Sequence, residues 1–146
     1  MEDAIAAIES YVPSNNRSQM MRTGRNTLIV DAYNANPTSM EAALKNFATV
    51  QTDHKVALLG DMLELGTDSA SEHQRIAEMA LGLGLDKVCF VGAEFAKVLP
   101  SKTGKSCSFM TSDELVTWLS KNILSDSVVL IKGSRGIRME KVISSL

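Results

Sequence analysis

Short all-apolar runs that end on glycine or charged residues set the tightest limit on what this 146-residue chain can fold into. Leu28-Ile29-Val30, the run VALLG at 56–60, VCFVG at 88–92 and VVLI at 128–131 have no alternation of polar and apolar positions. Such runs suit strands buried on both faces. A weaker run, SCSFM at 106–110, reads as a brief further strand. Between them the apolar positions change period. Met40, Ala43, Leu44, Phe47 and Val50 recur at helical spacing, as do Ile76, Ala77, Ala80 and Leu81. AEFAKVL, a segment running through Trp118 and Leu119, and the closing MEKVISSL complete the helices. Strands alternating with helices of ten or so residues predict a parallel sheet covered on both faces.

Local signals place the boundaries. Asn36 before Pro37 and the pair Thr38/Glu41 compete as caps of one helix. Ser71/Gln74 and Thr111/Glu114 cap two others. Gly82 and Gly84 precede a strand, so they stop a helix and do not cradle a phosphate. Ile5, Ala6, Ile8 and Val12 suggest a short opening helix, and residues 13–26 read as a loop or meander.

Composition narrows the function classes. Fifteen basic against 17 acidic residues leave a net charge of −2, which gives no electrostatic basis for binding nucleic acid or an anionic membrane. No run approaches the ~18 apolar residues of a membrane span. Glu2 and Asp3 stand where a signal peptide needs positive charge. Cys89 lies in an apolar strand, as a buried reduced thiol would, and the chain reads as cytoplasmic. The length suits one domain, short for a self-sufficient nucleotide-driven two-substrate enzyme.

Ligands of open parallel sheets bind beyond the carboxyl ends of the strands. Three strand ends here carry unusual polar groups. In Asp31-Ala32-Tyr33-Asn34-Ala35-Asn36-Pro37 the aspartate suits a ribose diol, although it and the asparagines also suit a plain turn. In Gly60-Asp61-Met62-Leu63-Glu64 two carboxylates could receive an ammonium group or polarise a metal-bound water, or simply form a solvated loop. His73, nearby in sequence, fits a surface helix position better than a catalytic one. In Lys132-Gly133-Ser134-Arg135-Gly136, followed by Arg138, a buried strand delivers a lysine, a glycine bend and an arginine fork, the strongest anion site in the sequence. Arg17, Arg22 and Arg25 could also reach a phosphate, and spacing does not choose among them. No GxxxxGK[ST] loop, strand-first GxGxxG, HExxH or Cys–His metal pattern is present.

Taken in order, DAYNANPTSMEAAL, VALLGDMLELG with Ser71-Glu72-His73, and LIKGSRGIRMEKVI resemble the carboxy-terminal domain of the Mur ligase family. Within that family GDMLELG together with KGSRGIRMEKV resembles the member that adds D-alanyl-D-alanine to UDP-N-acetylmuramoyl-tripeptide in peptidoglycan synthesis. It runs from about Arg17 to Leu146. It implies a Rossmann-like α/β sheet of about six mostly parallel strands, one antiparallel, and ATP and Mg2+ bound mainly by a separate central domain. Residues 1–16 would then be a linker and helix from that domain, and residues 17–146 the carboxy-terminal domain. The resemblance places Arg17, Asp31, Tyr33, Asn34 and Asn36 at the nucleotide. It places Asp61, Glu64, His73, Lys132, Ser134 and Arg135 at the incoming dipeptide or the reacting phosphate. It assigns no certain catalytic residue or metal ligand to this domain, which is expected to be inactive without its companions. The competing expectation is a non-enzymatic, receiver-like signalling module with Asp31, Asp61 and Lys132 at strand ends.

Overall fold

A computed structural model describes residues 19–31, 35–63, 65–98, 106–134 and 137–146. The six strands are β1 (Gln19–Arg22), β2 (Thr27–Asp31), β3 (Lys55–Gly60), β4 (Lys87–Val91), β5 (Ser106–Phe109) and β6 (Val128–Lys132). The helices are α1 (Pro37–Ala48), α2 (Ser69–Leu81), α3 (Ala93–Val98) and α4 (Ser112–Lys121). Two 3-10 segments, Gly66–Asp68 and Met139–Ser145, complete the described elements. The strands form one sheet in the order β1-β2-β6-β3-β4-β5, and only the β1–β2 pair is antiparallel. The expected mostly parallel α/β sheet with one antiparallel strand is what the chain forms.

Both faces carry a core, as the unalternating runs required. On one face Ile29, Ala57, Leu59, Phe90 and Leu130 pack against Met40, Leu44 and Phe47 of α1, Ile76, Ala77 and Ala80 of α2, and Phe95 of α3. On the other, Leu28, Leu58, Cys89, Val129 and Ile131 meet Leu115 and Leu119 of α4 and Met139, Val142 and Leu146 of the last segment. Cys89 is buried and unbridged, as expected, and burial pushes its thiol far above the usual range.

Several boundaries differ from the sequence reading. Residues 19–22, read as loop or meander, form edge strand β1, with Gln19 opposite Val30 and Arg22 opposite Thr27. A four-residue edge strand with exposed Met20 and Met21 has no buried face to write a pattern. Helix α1 resolves its two competing caps in favour of Asn36. The Asn36 side chain accepts from the Ser39 N–H, and Ser39 Oγ accepts from the Asn36 N–H. Helix α2 begins at Ser69 after Asp68, two residues before the expected Ser71 cap. Thr111 caps α4 as expected, accepting from the Glu114 N–H. The closing segment is 3-10 instead of α-helical. The opening helix expected near residues 5–12 lies outside the described residues.

Candidate active-site edge at the strand carboxyl ends

The topology brings the three polar strand ends together. After β2 and β3 the chain crosses to the α1–α2 face, whereas after β6 it crosses to the opposite one. Loops leaving neighbouring strands for opposite faces open a crevice, where ligands of such sheets sit. Here β6 lies between β2 and β3, with Asp31 and Lys132 register partners and Lys132 opposite Leu59. The candidate ribose acceptor, the anion loop and the GDMLELG segment thus share one end of the sheet.

Glycines make the approach close. A Cβ on Gly133 would lie 2.8 Å from Met139 Cγ and 3.0 Å from Gly60 Cα. A Cβ on Gly60 would meet Ile137 Cγ2 at 2.9 Å. Gly60 and Gly133 are therefore needed where β3 and β6 end against each other. Ser134 then ties three loops. Its N–H donates to the Asp61 carbonyl (3.1 Å), its hydroxyl accepts from the Leu63 N–H (3.0 Å), and it donates to the Ala35 carbonyl (3.5 Å).

Asp61 and His73 occupy buried structural positions. The Asp61 carboxylate accepts from the Glu94 N–H (2.9 Å) and the Phe95 N–H (3.0 Å), fastening the start of α3 to the end of β3. Burial pushes this carboxyl above its ordinary range, and the two N–H bonds oppose the shift. His73, expected at a surface position or at the dipeptide, is 0% exposed. Its Nε2 accepts from the Met62 N–H (2.9 Å), and its Nδ1–H donates to the Ser69 carbonyl (2.7 Å). Because an amide N–H can only donate, that pair of bonds fixes a neutral tautomer. The ring also stands edge-on to Phe95, centroids 4.7 Å apart. A histidine spent in this way holds the 61–66 loop from beneath and offers no atom to a ligand. The same holds for Asp61 and Ser134, whose polar atoms are engaged inside the protein.

Asn36 is exposed beside the crevice with its side-chain oxygen used as a helix cap. Lys132 is 1% exposed, at the buried root of the anion loop. Arg17, Tyr33, Asn34, Glu64 and Arg135 lie outside the described residues, as does the side chain of Asp31. Arg22 and Arg25 are at the opposite end of the parallel strands. Arg25 donates there to the carbonyls of Ser145 and Leu146, so neither arginine serves this edge. Among the described residues there is no group of three or more His, Cys, Asp or Glu side chains that could hold a metal ion.

A cavity of about 420 Å³ opens beside the 61–66 loop, with Leu63, Glu94, Met110 and Ile137 in its lining. The sequence reading missed Glu94 and Gly92. The signal was available, since Gly92-Ala93-Glu94 follows a buried strand just as Gly60-Asp61 does.

Residues 16–135 match the family described as Mur ligase, glutamate ligase domain. The chain belongs to the Mur ligase family. A UDP-N-acetylmuramoyl-tripeptide–D-alanyl-D-alanine ligase of Rickettsia prowazekii is 35% identical over 130 residues, covering 87% of this chain and 29% of that protein. The crystal structure of MurF from Acinetobacter baumannii superposes with a TM-score of 0.78 at 31% identity, over 100% of this chain and 33% of that one. MurF from Thermotoga maritima, solved in complex with ADP, gives 0.73 at 25% identity over 92% of this chain and 30% of that one. The chain thus spans about 29% of the curated relative's length. Membership of this family overturns the receiver-like reading. No described helix is long and apolar enough to cross a membrane.

Proposed function

We propose that this chain is the carboxy-terminal domain of a cytoplasmic ATP-dependent amide ligase that adds D-alanyl-D-alanine to UDP-N-acetylmuramoyl-tripeptide. The observation carrying this reading is the whole-chain likeness to one third of a MurF structure at 31% identity. Ligases of this kind activate the tripeptide carboxylate as an acyl phosphate, which the dipeptide amine attacks to form the amide. ATP supplies the phosphoryl group, and Mg2+ its charge neutralisation, at the central domain.

This domain's residues bind and orient. Arg17, Asp31, Tyr33, Asn34 and Asn36 form the nucleotide edge, with Asp31 toward the ribose. Glu64, Lys132 and Arg135 receive the dipeptide or steady the reacting phosphate. Asp61, His73 and Ser134, assigned by resemblance to substrate contact, act instead by holding the loops, because their hydrogen-bonding atoms are already engaged. Closure of the companion domains onto this edge would complete the site and exclude water.

The test is phosphate release by the full-length protein and by residues 1–146, each supplied with ATP, Mg2+, UDP-N-acetylmuramoyl-tripeptide and D-alanyl-D-alanine. Turnover is expected from the full-length protein alone. A full-length protein that forms no pentapeptide would overturn the reading.

A further inference from the structure

The chain has two cysteines, and the sheet sets them side by side. Cys89 of β4 and Cys107 of β5 are register partners on adjacent parallel strands. Both side chains leave the sheet on the same face and join the core that α4 covers. Neighbouring strands run ~4.8 Å apart, inside the range of about 4.4–6.8 Å between Cα atoms that a disulfide spans, and here the Cβ atoms are turned the same way. The two thiols are within hydrogen-bonding reach of each other. One buried cysteine is an ordinary small core residue. Two in register, on one face and in contact, form a pair that can be oxidised together.

The members of the pair differ in access. Cys89 is fully buried, and burial first, then the neighbouring Cys107, pushes its thiol far above the usual range, so it stays protonated and inert toward reagents in solvent. Cys107 is half-buried on the outermost strand of the described sheet. That strand has four residues and one neighbouring strand, so it can make the slight shift that closing a disulfide demands. We propose that Cys107 and Cys89 form a reversible disulfide, a redox-sensitive staple between the edge strand and the rest of the sheet, with a hydroperoxide as oxidant. The Cys107 thiolate attacks one oxygen of hydrogen peroxide and the O–O bond breaks, giving Cys107 sulfenic acid and a hydroxide that takes up a proton. The Cys89 sulfur then displaces the sulfenic hydroxyl. The S–O bond breaks, the S–S bond forms, and the Cys89 proton leaves with the hydroxyl as water. Two thiols and one peroxide thus give one disulfide and two waters. In a reducing compartment such a bond is transient, which suits a sensor and not a permanent brace. Its effect reaches beyond β5. The Gly92 N–H donates to the Phe109 carbonyl (2.7 Å), so fixing β5 also fixes the turn leading from β4 into α3.

The experiment uses the full-length protein, reduced, freed of reductant and exposed to hydrogen peroxide. Remaining thiols are blocked with N-ethylmaleimide in denaturant, and the protein is digested with trypsin without reductant. Residues 88–97 carry Cys89 and residues 106–121 carry Cys107. Mass spectrometry is expected to find these two peptides joined in the majority of chains, lighter than their sum by two hydrogens, and parted again by dithiothreitol. Cys107→Ala, at a half-buried position, should leave Cys89 reduced. Cys89→Ala should accumulate Cys107 sulfenic acid, captured by dimedone; the wild-type peptide map decides the matter even where this core change lowers stability. Hydrogen exchange across residues 106–109 should slow by at least about threefold on oxidation of the wild type. Recovery of Cys89 fully blocked by maleimide, whether Cys107 is untouched or carried on to sulfinic acid, overturns the disulfide. So does Cys107 joined to a cysteine of another segment or another molecule. A bond that forms without slowing exchange at 106–109 overturns the staple.

Discussion

Gly92→Ala is the most direct probe of how rigidly the strand-end loops are built. Gly92 follows β4 with φ +120°, a region that L side chains rarely occupy. An added Cβ would lie 2.2 Å from Asp61 Cγ and Oδ2 and 2.5 Å from Oδ1. The backbone conformation alone costs about 1–3 kcal/mol. Relief of the overlap requires the Asp61 carboxylate to leave the Glu94 and Phe95 N–H groups, at about 1 kcal/mol net for each bond. The sum, about 3–5 kcal/mol, is a large share of the ~5–15 kcal/mol that holds a typical domain together. In urea, with an m-value near ~2 kcal/mol/M, the unfolding midpoint should fall by about 1.5–2.5 M. Gly24→Ala is the control, because nothing lies within 4 Å of its added Cβ. It should stay within about 0.5 kcal/mol of wild type. The double variant Asp61→Ala/Gly92→Ala removes the obstructing carboxylate, so its loss should be less than the sum of the two single losses by about 1–3 kcal/mol. A Gly92→Ala midpoint within ~0.3 M of wild type, or strict additivity in the cycle, would refute the reasoning.

Three further outcomes follow from the same geometry. His73→Phe keeps an aromatic ring against Phe95 but strips the partners from the Met62 N–H and the Ser69 carbonyl; a loss of about 2–4 kcal/mol, and a Tm drop of roughly 5–15 °C by calorimetry, is expected. Ser134→Ala leaves the Leu63 N–H without its acceptor, so amide exchange at Leu63 should accelerate roughly tenfold while Gly92, bonded to the Phe109 carbonyl, keeps its protection; equal protection at Leu63 would remove Ser134 as the tie between loops. The Asp86 carboxylate, 2.7 Å from His54 Nδ1, raises the His54 pKa above 6.5, so this pair stabilises the fold fully below that value and stops doing so as pH rises through the raised one; an NMR titration should show the midpoint fall in Asp86→Asn, and an unmoved midpoint would contradict the pairing.

The parallel sheet was legible because a strand buried on both faces must be apolar at every position, and VALLG and VVLI leave no other economical reading. The family was legible because three strand-end motifs stand in order. Edge strand β1 was hidden for the opposite reason: paired on one side only and exposed at Met20 and Met21, it carries no periodic signal. His73 misled because its neighbours Glu72 and Gln74 are polar, whereas burial is decided by the facing Phe95 and Met62, one of them 22 residues further along the chain.

What the sequence determined by itself was the inventory: alternating strands and helices, the chemistry at each strand end, and a resemblance to one ligase family. The tertiary structure decided which of the described groups are engaged within the protein. Strand order placed β6 between β2 and β3, and so set Lys132 beside Asp31. Hydrogen bonding then committed Asp61, His73 and Ser134 to the protein interior and left Glu94 at a cavity rim. A side chain's availability depends on what else reaches its donors and acceptors, and those partners come from segments far apart in the chain.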